Sequence, residues 1–179
     1  MTRRILSQVF DATPTLRKSL GARFPLAKEY VRGIVDPLPK KTNEGLVKFA
    51  GLEFPSVSQV RQDVFVQAFS EFHKGRAYLE IGASMPKTGN NTFALELDGW
   101  IGKSIELDSK VVPLWQSRDA RRLVIGDALK LDYSRILAEL SHRGLGYLQV
   151  DIEPATNSLK ALELVLSHGL EFATLTFEH

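Results

Sequence analysis

Residues 77–107 read Ala77-Tyr78-Leu79-Glu80-Ile81-Gly82-Ala83-Ser84-Met85-Pro86-Lys87-Thr88-Gly89-Asn90-Asn91-Thr92-Phe93-Ala94-Leu95-Glu96-Leu97-Asp98-Gly99-Trp100-Ile101-Gly102-Lys103-Ser104-Ile105-Glu106-Leu107. The first five form a short apolar run that ends on glycine, as a buried strand does. A loop follows from Gly82 to Gly89, a helix opens at Asn91–Glu96, and Ile101–Leu107 is strand-like again. Strand, helix, strand in so short a span predicts a parallel pair joined by a right-handed crossover. The unit then repeats. A helix with Pro113 in its first turn leads to the strand Leu123-Val124-Ile125. Ile136, Leu137 and Leu140 mark the inner face of a helix before the strand Tyr147–Ile152, and a helix from Leu159 to Leu166 precedes the strand Phe172–Phe177. This alternation predicts an α/β fold: a Rossmann-like three-layer α/β/α sandwich with a mostly parallel sheet of about five strands.

Upstream, Ser56 is placed to cap a helix in which Val57, Val60, Val64, Ala68 and Phe72 recur at helical spacing, with Gly75 ending it. Residues 1–50 read as a helix-rich lead-in or lid, with Ile5, Leu6, Val9 and Phe10 on one face and Leu26, Tyr30 and Ile34 on another. Asp36-Pro37-Leu38-Pro39 interrupts it as a turn or extended linker. The expected organisation is a 1–50 lead-in and a 51–179 Rossmann-like domain.

The chain has 179 residues and no Cys, which excludes disulfides, thiolate metal sites and cysteine nucleophiles. No apolar run approaches the roughly 18–20 residues that cross a bilayer. Gln8 and Asp11 interrupt any signal-peptide core, and the expected location is cytoplasmic. Charge is uneven: residues 1–50 carry +6 and residues 51–179 carry −4. A basic front could touch a phosphate or membrane surface, although a solvated helix face accounts for it as well. No nucleic-acid partner is expected.

The chemistry gathers where strands end. Glu80-Ile81-Gly82-Ala83-Ser84 leaves its strand through small residues, so a ligand can approach the backbone, and the helix opening near Asn91 favours a negative ligand group. The motif is not G-x-G-x-x-G, since Ser84 and Lys87 replace two glycines; a tight structural turn reads equally well. Glu106, ending the second strand of this unit, can accept from both hydroxyls of a ribose. Asp127 in Gly126-Asp127-Ala128 can accept from an adenine amino group, and Asp151 and Glu153 leave the strand beside the first, where a reacting atom would lie. Each acid alone also reads as a helix cap or strand-end carboxylate. Four at one rim point to a ligand.

From about Ser58 to His179 the sequence resembles class I S-adenosylmethionine-dependent methyltransferases, and the FkbM-like family in particular. The matching residues are Ser58-Gln59-Val60-Arg61-Gln62-Asp63, Tyr78-Leu79-Glu80-Ile81-Gly82-Ala83, Asn91-Thr92 with Leu95-Glu96, and Gly99-Trp100-Ile101-Gly102 before Ile105-Glu106. They continue with Gly126-Asp127-Ala128, Leu148-Gln149-Val150-Asp151-Ile152-Glu153 and Thr174-Leu175-Thr176-Phe177-Glu178-His179. The chain departs from the family pattern at Met85-Pro86-Lys87 and at Pro154. The resemblance implies S-adenosyl-L-methionine as cofactor, with Glu80, Gly82 and Ala83 around its methionine part; Ser84 and Asn91 are further expected cofactor contacts. It further implies Glu106 at the ribose, Asp127 at the adenine, and Asp151 near the sulfonium and acceptor.

A hydroxyl acceptor on a glycan or small metabolite needs its proton removed. Asp151 is the first candidate base, with Glu153 or His179 next. Asp151, Glu153 and His179 could also hold a divalent ion, but they form no metal motif and no metal is expected. Lys87 could meet an acidic substrate group or stay solvated. Two other functions fit the pattern: a non-catalytic scaffold domain, or an NAD-dependent oxidoreductase, against which the missing third glycine and Asp127 weigh. The family fold carries seven strands in the order 3-2-1-4-5-7-6, and this sequence stops as the fifth ends. The expectation is a C-terminally truncated domain lacking strands 6 and 7, or a homo-oligomer or partner that covers the edge at Phe172–Phe177.

Overall fold

The protein is described by a computed structural model covering residues 45–49, 52–59, 61–69 and 75–177. The expected helices within residues 1–44, and His73 and His179, lie outside the described residues. Two strands come first, β1 (Gly45–Phe49) and β2 (Leu52–Ser56), paired antiparallel with Gly45 opposite Ser56 and Phe49 opposite Leu52. The expected boundary at 50/51 therefore falls inside a hairpin, and the last residues of the expected helical lead-in are strand. Contact density instead divides the chain between Lys41 and Thr42. The local signal was two five-residue runs flanking Ala50-Gly51, a spacing that favours a hairpin.

The helix expected from Ser56 begins later, as α1 (Gln62–Ala68). Its buried Asp63 explains the shift. Asp63 Oδ2 accepts from the backbone amides of Val57 and Ser58, and Oδ1 accepts from the hydroxyls of Ser56 and Ser58 at 2.8 and 2.9 Å. These bonds hold 56–58 extended, so Ser56 is a donor to the helix acid and not the cap. The end of the hairpin is also tied to the later loop: Gly89 N–H donates to Val57 O at 2.8 Å.

The remaining elements are β3 (Ala77–Ile81), α2 (Phe93–Leu97), β4 (Ile101–Glu106), α3 (Val112–Trp115), β5 (Leu123–Ile125), α4 (Tyr133–Ser141), β6 (Leu145–Val150), α5 (Ala155–Ser167) and β7 (Thr174–Phe177). They build a five-stranded sheet in the order β5-β4-β3-β6-β7, every pair parallel, flanked by helices in a Rossmann-like α/β sandwich. β3 is buried along its whole length because it is central and covered on both faces, which is why it reads as a continuous run. Val66 of α1, Leu95 of α2, Tyr78, Trp100 and Tyr147 form one fully buried cluster with Phe65 packed against it. The strand order reverses between β3 and β6. Such a switch point opens a crevice at the carboxyl ends of the strands, and the loop after β3 runs into it. Among the described residues no helix is long and apolar enough to cross a membrane.

Candidate functional site

Side chains alternate faces along a strand, so in-register residues of parallel neighbours share a face. Glu80 on β3 is in register with Ser104 on β4 and Gln149 on β6. Glu80 is 1% exposed, and its Oε2 accepts from Ser104 Oγ at 2.7 Å, Thr92 Oγ1 at 2.9 Å and Asn90 Nδ2 at 3.3 Å. Burial raises its pKa above the usual carboxylate range, while the field of Arg118 and the three donors oppose that rise.

Arg118 is the hub beneath the site, and the sequence did not mark it. Its Nε and Nη2 grip both carboxylate oxygens of Glu96, at 2.9 and 2.7 Å. Nη2 also donates to Tyr78 Oη and Thr92 Oγ1, and Nη1 donates to Asn90 Oδ1 and Pro86 O. Tyr78 Oη donates in turn to Glu96 Oε1. Burial works against the guanidinium charge, but the Glu96 bonds and the fields of Tyr78, Glu80 and Glu96 hold its pKa above the ordinary value. In sequence Arg118 sits in Ser117-Arg118-Asp119-Ala120-Arg121-Arg122, a run that resembles a solvated charged turn. The partners of its side-chain hydrogen bonds lie 22 to 40 residues away, beyond the reach of any local pattern.

The loop after β3 makes the ligand face. Gly82 has φ +89°, and a Cβ there would lie 1.8 Å from the backbone oxygen of Asp151, so the loop and the end of β6 meet backbone to backbone. Asn90 shapes the far end of the loop: Oδ1 accepts from the amides of Thr92 and Phe93, and Nδ2 donates to Ala83 O. Between them lies a cavity of about 90 Å³ lined by Glu80, Gly82, Ala83, Asn91, Gln62 and Asp151, with Ser84 at its rim. Asn91 Oδ1 is buried with no hydrogen-bond partner among the described residues. The cavity presents two carboxylates and an unspent carbonyl oxygen, a set that attracts a cationic or donor-rich group.

The structure thus brings together Glu80, Gly82, Ala83, Ser84, Asn91 and Asp151. Glu106 stands beside the cavity, its Oε2 accepting from Ser84 N–H at 2.7 Å and Oε1 from Asp108 N–H at 2.9 Å. A carboxylate has about four acceptor positions, so two remain for a ligand. Asp127 caps the turn after β5 by accepting from Leu129 N–H and pairs with Lys130 at 2.9 Å. That bond to Lys130, followed by the amide of Leu129, holds its pKa below the ordinary value. Glu153 is exposed and does not line the cavity. Lys87 does not line it either; its Nζ lies 5.6 Å from the Phe93 ring centroid. Residues not singled out from sequence as ligand-facing, Gln59, Gln62 and Thr88, also line the cavity. Among the described residues no three His, Asp or Glu side chains cluster as a metal site. His142 and His168 follow α4 and α5 as exposed C-terminal caps.

Comparison of the chain with protein-family models and with curated proteins returns no match.

Proposed function

We propose that this rim binds S-adenosyl-L-methionine and that the protein transfers its methyl group to a hydroxyl of a glycan or small metabolite. One observation carries the reading: at the switch point, a glycine cradle and an acceptor-lined cavity adjoin a strand-end glutamate with two acceptor positions to spare. A molecule with a cationic amino-acid end and a ribose fits that pair of features. The cavity is well short of the several hundred Å³ of a site for a drug-sized ligand, so it takes only a head group. The nucleoside then lies along the open rim, over Glu106 and towards Asp127. When bound, the cofactor supplies a methyl group already activated on a sulfonium.

What remains for the chain is alignment and proton removal. Gly82 and Ala83 line the cavity, and Gly82 lets the loop close against the end of β6. Glu106 orients the ribose, and Asp151, on the cavity wall and without a side-chain hydrogen bond or ion pair among the described residues, is placed to accept the proton of the incoming hydroxyl. Glu80 supports the site from beneath, since its carboxylate is held by Ser104, Thr92 and Asn90.

Calorimetric titration of the wild type with S-adenosylmethionine, S-adenosylhomocysteine and NAD tests the proposal. Binding of both adenosyl ligands, weakened about tenfold or more by Glu106→Ala through loss of charge-assisted bonds, is the expected result. Binding of NAD alone would transfer the site to oxidoreductase chemistry. Binding of none would leave a scaffold domain.

A further inference from the structure

The loop that forms the ligand face is held at Ser84–Pro86 by contacts from outside it. Ser84 sits at φ +47°, a left-handed conformation that costs a non-glycine residue about 1–2 kcal/mol. Both Ser84 and Met85 are exposed, so their backbone groups could be solvated in many other arrangements. Such strain persists only where surrounding contacts over-determine it. Here those contacts come from the segment that follows β4. Trp115 Nε1 donates to Ser84 O at 3.0 Å, and Arg118 Nη1 donates to Pro86 O at 2.9 Å. The Arg118 guanidinium stacks on the Trp115 ring, 4.6 Å from its centroid, so the two donors brace each other. On the other side of the same residue, Ser84 N–H donates to Glu106. Trp115 and Arg118 are both buried, and neither lines the cavity.

We propose that Trp115 and Arg118 are positioning residues for the ligand loop: through Ser84 O and Pro86 O they impose the backbone course on which affinity for a nucleoside-bearing cofactor depends. The inference deepens the preceding reading and rests on it for the identity of the ligand. The clamp itself is a property of the unliganded protein. It follows that loop course, Glu106 and Trp115 respond together when the ribose position fills.

The test compares Trp115→Phe with Trp100→Phe in the full chain. Phe at 115 keeps an aromatic face for Arg118, deletes the donor to Ser84 and shrinks the buried ring. Trp100 is equally buried but packs with Val66, Tyr78, Leu95 and Tyr147, so its replacement reports the purely structural cost of shrinking a core indole. Two readouts are taken: amide hydrogen exchange over residues 83–90 without ligand, and the dissociation constant for S-adenosylhomocysteine. Trp115→Phe should speed exchange in that loop and weaken binding, each about tenfold, the size of one neutral hydrogen bond. Trp100→Phe should lower the melting temperature with loop exchange and affinity unchanged. Wild-type exchange rates in Trp115→Phe, or equal losses in Trp100→Phe, would overturn the clamp. Should Trp115→Phe fail to fold, Arg118→Lys keeps a cation for Glu96 while losing the fork that reaches Pro86, and is read by the same exchange. If the wild type binds no S-adenosylhomocysteine, the functional reading falls and the exchange comparison still decides the clamp.

Discussion

Glu80 and Asp151 are carboxylates at the ends of neighbouring parallel strands, and both face one cavity. Their surroundings differ completely. Glu80 accepts three hydrogen bonds on Oε2 and lies in the field of a buried arginine, whereas Asp151 is half-buried and makes no side-chain bond among the described residues. The contrast extends along the rim. Inward lies a cross-linked layer of Tyr78, Glu80, Asn90, Thr92, Glu96 and Arg118; outward lie Glu106, Asp127, Asp151 and Glu153, with acceptor positions still open to solvent. Glu80 commits one oxygen, Oε2, to three donors of the protein and so builds the site, whereas Asp151 commits neither among the described residues.

The sharpest way to break this contrast is to remove the cation of the inner layer. Arg118→Met takes the buried cation away from Glu80 and leaves Glu96 only its longer pair with Arg122, at 3.4 Å, and should lower unfolding free energy by about 3 kcal/mol, as breaking a buried ion pair does. Denaturant titration measures it; a loss below about 1 kcal/mol would place Arg118 among ordinary surface charges.

A smaller effect separates the two carboxylates by pH. Glu80 has a folded-state pKa raised above its unfolded value, so the stability linked to its proton is fully present below the ordinary carboxylate range. It is lost as pH rises through the folded pKa. Glu80→Gln keeps an acceptor and cannot ionise. Its stability relative to the wild type should therefore improve as pH is raised from about 4 to 8, read from denaturation midpoints. A pH-independent difference would show that Glu80 carries no such linkage.

The smallest effect sharpens the outer side. Ser84→Gly relieves the left-handed strain, and the added freedom of the unfolded chain offsets part of the gain. A net stabilisation of roughly 0.5–1 kcal/mol is expected by thermal unfolding. Destabilisation would mean that the Ser84 side chain, and not its backbone, holds the loop.

Much of this architecture was written in local patterns. Apolar runs at Ala77–Ile81, Ile101–Glu106, Leu123–Ile125 and Tyr147–Val150, alternating with helical periodicity, specify parallel strands, because chain stiffness and crossover handedness leave few other packings. The placing of Glu80, Glu106, Asp127 and Asp151 at strand ends follows from those runs. The hairpin at 45–56 was missed because its strands are short and its second one leads into a segment with helical spacing. Asp63 overrides that spacing by binding the amides of Val57 and Ser58.

The sequence alone thus determined the α/β class and which acids reach the carboxyl edge of the sheet, since both depend on residues close together in the chain. Only the tertiary structure decided how far each of those acids is committed to the protein. Depth beneath a helix, the 40-residue reach from Arg118 to Tyr78, and the grip of Trp115 on Ser84 are set by how separate crossovers pack, and no local period encodes them.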